Sequence, residues 1–168
     1  PKTQKLLEAC GSTPLKTAAT LAELIRRPEL NYKMLADIDA DAFILDCIPN
    51  PSPKEITDRT VDFVMTLRQK HPDTPIIVIQ TLIRETGNFN QKARENVKRQ
   101  NEAIAEQVEV LRKKNVKNLY FIKEDQFLGT DHEGTVDGTH PNDLGFDRML
   151  KKYKPAISKI LKIKFKAE

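Results

Sequence analysis

The sequence predicts an α/β fold: a parallel sheet of at least three strands with flanking helices, preceded by a helical N-terminal segment. Three observations carry this. Short apolar runs without polar alternation fall at 42–47, 76–79 and 118–122, as in strands covered on both faces. A longer segment with helical apolar spacing separates each run from the next, and another follows the last. Strand and helix alternating in this way is the grammar of right-handed parallel crossovers.

The first run, Ala42-Phe-Ile-Leu-Asp-Cys47, stops at Ile48-Pro49-Asn50-Pro51, where two prolines have no N–H to give a ladder. Ser52-Pro53-Lys54-Glu55 opens a helix: Ser52 caps, Pro53 fits the first helical position, and Glu55 closes a capping box. Ile56, Val61, Val64, Met65 and Leu67 line its inner face to about residue 70. His71-Pro72-Asp73-Thr74 is a turn that places His71 at the surface, and Pro75-Ile-Ile-Val-Ile79 is the second strand. A polar loop over 81–90 leads to a long helix, about 91–114, with Ala93, Val97, Ile104, Val108 and Leu111 inward. The third strand is Asn118-Leu-Tyr-Phe-Ile122; a loop rich in Asp, Gly and Thr runs to Asn142, and the last helix starts at Asp143. Phe43, Phe63, Phe121 and Phe146 fall at core positions. Sites in such sheets gather at the carboxyl ends of strands, so Asn50 and the loops 81–90 and 124–142 are expected to converge.

Residues 1–38 carry no strand signal. Residues 5–8 read as a short helix and Gly11-Ser12-Thr13-Pro14 as a turn. Thr20 caps a helix over 21–27 that Pro28 stops, and Asn31 caps another over 32–36. The chain is accordingly divided into a helical segment, 1–38, and an α/β domain, 39–168, whose small sheet the helices cover at one edge or face.

The 168 residues, 39% apolar and 31% charged, suit one soluble domain, and no apolar run approaches the roughly 20 residues of a membrane span. The chain opens on Pro1, which fits a processed or excised N-terminus, and its cellular location is not legible. Cys10 and Cys47 lack metal-knuckle or redox spacing; both are expected as thiols, Cys47 buried in its strand. The net charge of +4 gathers in Lys151, Lys152, Lys154, Lys159, Lys162, Lys164 and Lys166. Apolar residues interleave with these lysines at near-helical spacing, so they read as a solvated helix face and no nucleic-acid partner is expected. Asp131, His132, Glu133, Asp137 and His140 cluster in sequence, but at no metal-motif spacing, and no metal is expected.

Chemistry concentrates in Gly134-Thr-Val-Asp137-Gly-Thr-His140-Pro-Asn-Asp-Leu-Gly145. An Asp three residues before a His can set its carboxylate on one ring nitrogen, fixing the tautomer while the other nitrogen takes a proton. Gly138 allows the tight turn this needs. With the strand pattern before it, this block resembles the last signature of the SGNH (GDSL-like) hydrolases. Phe43-Ile-Leu-Asp-Cys-Ile-Pro-Asn50 is similar to their third block. The resemblance spans about 39–168 and implies a partial SGNH, flavodoxin-like sheet. It implies His140 as general base, Asp137 as its orienting partner and Asn50 as an oxyanion donor. Ester hydrolysis on a small ester or acylated carbohydrate, without metal or cofactor, follows from the same resemblance.

Such hydrolases open with a strand ending in Gly-Asp-Ser or Gly-Thr-Ser, and neither that strand nor the next is recognisable here. The early Gly11-Ser12 makes Ser12 the candidate nucleophile by position, in a stretch that reads as a turn. Without a nucleophile the acid–base pair has nothing to activate, so weak or absent hydrolysis is expected. Gly11-Ser-Thr-Pro-Leu-Lys-Thr…Leu21-Ala-Glu-Leu-Ile-Arg-Arg-Pro-Glu-Leu-Asn-Tyr-Lys-Met-Leu35 resembles the C-terminal helical segment of the glucose-inhibited division protein A family. That segment holds no flavin site, and the two resemblances together imply a chimera. Loss of two strands is expected to bare the edge of the strand at 42–47, an invitation to a homodimer and to a non-catalytic structural role.

Overall fold

In a computed structural model the backbone is described for residues 17–18 and 28–163, with side chains from Tyr32 onward. Ser12 and the helices expected at 5–8 and 21–27 lie outside the described residues. Four parallel strands pair in chain order: β1 (Thr17–Ala18), β2 (Ala42–Leu45), β3 (Ile76–Ile79) and β4 (Leu119–Ile122). β1 corrects the expectation of a strandless N-terminal segment. Thr17 faces Ala42 and Ala18 faces Phe43, so the edge of β2 expected to stand bare is paired at those two positions. A two-residue strand has no hydrophobic periodicity of its own, which is why the sequence did not betray it.

Helix α1 (Pro28–Ala36) takes in Pro28, and the helix that Pro28 was expected to stop lies outside the described residues. A proline at the first helical position forfeits no bond, because that N–H has no helical acceptor. Asn31 lies inside α1 and is not its cap. Helix α2 (Pro53–Lys70) has the expected capping box: the Ser52 hydroxyl accepts from Glu55 N–H, and the Glu55 carboxylate accepts from Ser52 N–H at 2.8 Å. Helix α3 (Gln91–Lys113) is capped by Asn90, and α4 (Asp143–Leu161) by Asn142, whose Oδ1 accepts from Gly145 N–H.

Side-chain alternation sorts the sheet into two cores. Phe43, Leu45, Ile76 and Val78 pack against α1, α2 and α3 through Tyr32, Phe63, Leu67, Ile104 and Val108; the Tyr32 and Phe63 rings are 4.7 Å apart. Ile77 and Ile79 face the other way, against Phe127, Met149, Tyr153 and Ile157 of the last loop and α4. α4 thus turns its apolar stripe inward, while Lys151 and Lys152 pair at the surface with Asp147 and Asp125. Among the described residues no helix is long and apolar enough to cross a membrane.

Three positions depart from expectation. Phe146 is 38% exposed: it follows Gly145 at the start of α4 and lies off the inward stripe of Met149, Tyr153 and Ile157. His71 is half-buried, its Nε2 2.8 Å from the Ala36 carbonyl oxygen and its ring 4.9 Å from Phe43. Cys47 is a buried free thiol two residues beyond the end of β2.

Candidate active site

Because the strands are parallel, the loops leaving β2, β3 and β4 share one edge of the sheet. The loop after β4 folds back on itself between Gly134 and Asn142. Thr135 bridges Pro141, and Val136 N–H donates to the His140 carbonyl at 2.8 Å. At its tip Asp137 accepts three bonds. Oδ1 takes Thr139 N–H at 2.9 Å and His140 N–H at 2.8 Å, and Oδ2 lies 2.7 Å from His140 Nδ1. Donors around it, the His140 backbone first and then its ring, hold the Asp137 carboxyl well below the usual range, so it stays ionised. Nδ1 therefore carries the ring proton of neutral His140, and Nε2 presents a lone pair outward. The imidazole is 76% exposed and the carboxylate 53%, leaving both open to an incoming molecule.

Gly138 sits at φ +81°, and a Cβ there would lie 2.9 Å from Thr86 Cγ2. Both facts require glycine. The contact arises because a 3₁₀ turn (Glu85–Asn88) presses on the Gly134–Asn142 loop, with Thr86 N–H donating to Gly138 O at 2.9 Å. Just ahead of this turn, Arg84 reaches the loop after β2, where Nη2 donates to Pro49 O at 2.7 Å. Gln100, 2% exposed on α3, spreads its Nε2 over the carbonyls of Ile48, Pro49 and Pro51 at 3.1, 3.3 and 2.7 Å. Asn50, exposed between these clamped prolines, is thereby tied to the Asp137–His140 loop through Arg84, Thr86 and Gly138. Arg84 thus holds the Pro49 carbonyl, and Asn88 holds the Glu85 carboxylate.

The remaining acidic cluster is divided among separate partners. Asp131 pairs with Arg148 through two bonds of 2.6 Å, and His132 Nδ1 lies 2.7 Å from Glu85 Oε2. Sequence reasoning missed the Glu85–His132 and Gln100 contacts, which join residues 47 and about 50 positions apart. No spacing rule reports partners at that distance.

The described residues offer no prepared serine or cysteine nucleophile. The Ser52 hydroxyl is engaged with Glu55 in the α2 cap, and Ser158, late in α4, donates to the Ile163 carbonyl. Burial, with help from Asp46, pushes the Cys47 thiol up to about 12, so it stays protonated.

The sequence profile of the GDSL-like lipase/acylhydrolase family matches residues 28–158. This chain belongs to that family. A crystallised Bacteroides ovatus protein classed as a GDSL-like lipase is 98% identical, with a TM-score of 0.80; the match covers 81% of this chain and 40% of that one. A carbohydrate esterase family 3 protein from Talaromyces cellulolyticus (16% identity, TM-score 0.61, 86% and 69% covered) shares the fold. So does a salicylyl-acyltransferase of a tetracycline pathway (19% identity, TM-score 0.62, 77% and 40% covered). Separately, 53 residues are 47% identical to the tRNA uridine 5-carboxymethylaminomethyl modification enzyme MnmG of Lachnoclostridium phytofermentans. That match takes in 32% of this chain and 7% of the enzyme. The chain therefore spans less than half of the Bacteroides protein and a small fraction of the tRNA-modifying one.

Asp46 stands where this GDSL-like sheet ends at the candidate site. The residue as a whole is exposed, but its carboxyl is crowded by protein at the end of β2, and that desolvation raises its pKa to about 6. The folded state then holds a proton that the unfolded chain releases near 3.8. Stability should fall as pH rises between those values and level off above them. Asp46→Asn is expected to be more stable than the parent at pH 7.5 and no different near pH 3.5. Urea midpoints at the two pH values test this, and an equal difference at both would refute it.

Proposed function

We propose that this chain is a GDSL-like acylhydrolase domain that keeps an oriented acid–base pair but hydrolyses esters weakly or not at all. His140 acts as general base, Asp137 as its orienting partner and Asn50 as an oxyanion donor. The single observation that carries this reading is the 2.7 Å contact between His140 Nδ1 and Asp137 Oδ2, on an imidazole that is 76% exposed. Weak turnover is favoured because Cys47, Ser52 and Ser158 are all otherwise committed, which leaves Ser12 as the serine not accounted for. Membership of the family favours a small ester or acylated carbohydrate as substrate.

The division into 1–38 and 39–168 is read as a chimera. The short match to a tRNA-modifying enzyme beside 98% identity to a lipase-like chain supports it. No flavin chemistry is assigned to so short a piece. The alternative, a non-catalytic dimer built on a sheet edge, would show as a dimer mass in light scattering, and a monomer at high concentration would exclude it.

The test is hydrolysis of an unactivated alkyl ester, such as acetylated xylose, by the purified chain. No turnover above the blank is expected. Turnover abolished by both Ser12→Ala and His140→Ala would instead establish a complete serine site, and full turnover by Ser12→Ala would remove Ser12 from it.

A further inference from the structure

A second imidazole in this molecule has the arrangement described for His140. His132 Nδ1 lies 2.7 Å from Glu85 Oε2, and Asn88 Nδ2 donates to the same oxygen at 2.7 Å. The Glu85 carboxylate is only 14% exposed, whereas the imidazole is 67% exposed. Asn88 Nδ2 also lies 3.3 Å from Nδ1, but the 2.7 Å contact to a carboxylate, which can only accept, is the shorter, so Nδ1 carries the proton and the Nε2 lone pair points away from Glu85. No described residue bonds Nε2.

The backbone under His132 is fixed on both sides. His132 itself is left-handed at φ +67°. Before it, Asp131 is gripped by Arg148, which also donates to the Leu128 carbonyl at 2.7 Å. After it, Glu133 N–H is bound by Asp131 Oδ1 at 3.2 Å. Such a ring is held in place before anything arrives.

Asn88, which steadies Glu85, also lines two open hollows of about 490 and 520 Å³ that share Arg94 and Lys98. Their walls carry Ile83 and Phe89, 56% and 82% exposed, which suit an apolar or aromatic group.

We propose that His132, with Glu85 and Asn88, is a second reactive site, a serine-free imidazole nucleophile for activated aryl esters. Nε2 attacks the acyl carbon, the bond to the aryl oxygen breaks, and the phenolate departs with the electron pair. The acyl-imidazolium gives its Nδ1 proton to Glu85 and on to solvent. Water then adds to the acyl carbon, the C–N bond breaks, and Nδ1 is reprotonated as the imidazole is restored. The products are a carboxylic acid and a phenol, ionised as the pH dictates. An alkoxide is a poorer leaving group than imidazole, so alkyl esters are not substrates. This site does not depend on the role given to His140, and the choice of ester separates the two.

The experiment measures p-nitrophenyl acetate hydrolysis by the full chain, its His132→Ala, Glu85→Gln and His140→Ala variants, and the His132→Ala/His140→Ala double variant. His132 is exposed, so its removal should leave the circular dichroism spectrum unchanged. His132→Ala should lose about half of the protein-dependent rate or more, and Glu85→Gln should lose a comparable share. The double variant should fall to the buffer rate. A parent no faster than buffer, a His132→Ala variant as fast as the parent, or an undiminished Glu85→Gln variant would each overturn the proposal. Alkyl-ester turnover would bear on the His140 reading alone.

Discussion

Gly145→Ala should destabilise the fold more than any other single methyl added at a described glycine, by about 3 kcal/mol or more. A Cβ there would lie 2.0 Å from the Gly134 carbonyl oxygen and 3.1 Å from Leu128 Cδ2. The first clash is with backbone, and that backbone is engaged: the same Gly134 carbonyl accepts Asn142 N–H at 3.1 Å. The strain cannot be released by turning a flexible side chain. Either the first turn of α4 lifts away from the Gly134–Asn142 neck, or the neck opens. Both movements displace Asp137 and His140, which hang from it. Urea denaturation measures the loss; a variant within about 0.5 kcal/mol of the parent would show that α4 and the neck are not packed as described. The glycine reflects a close approach of two backbones, since its own φ is not in the left-handed region.

Gln100→Leu should cost about 2 to 3 kcal/mol, and Gln100→Glu more than that. Gln100 Nε2 serves the carbonyls of Ile48, Pro49 and Pro51. The prolines have no N–H, so this stretch cannot satisfy itself by local pairing, and the donor must come from α3. Leucine fills the space but leaves buried acceptors unpaired. Glutamate brings an anion against three carbonyl oxygens at a position only 2% exposed. Gln100 Oε1 is buried without a hydrogen-bond partner among the described residues, so losing the oxygen alone costs little. The order parent, Leu, Glu therefore isolates the donor as the important half of the amide. Equal midpoints for Leu and Glu would contradict that. Because Asn50 rides on the clamped loop, its amide resonance should broaden in both variants.

How much was legible beforehand depended on distance along the chain. The capping box of α2 was readable because Ser52 and Glu55 are three residues apart. The Asp137–His140 pair was readable for the same reason, with Gly138 between them to permit the turn. Strands β2 and β3 declared themselves by continuous apolar runs, since a strand covered on both faces leaves no polar alternation. Pro28 was ambiguous: a proline can stop one helix and start the next, and the local sequence did not extend the helix of Tyr32, Leu35 and Ala36 back to it.

The sequence by itself determined the α/β class, the order of its main elements, and the aspartate–histidine pair, because each rests on contacts between near neighbours or on burial patterns that repeat within one element. Tertiary structure decided the rest. It set Thr17–Ala18 against β2, gave Glu85 to His132 and Asp131 to Arg148, and stretched Gln100 across to the Asn50 loop. Those partners meet because parallel crossovers bring the carboxyl ends of successive strands to one edge of the sheet. Which long-range polar groups then pair is fixed by loop shape and burial, for which a linear sequence carries no periodic signal.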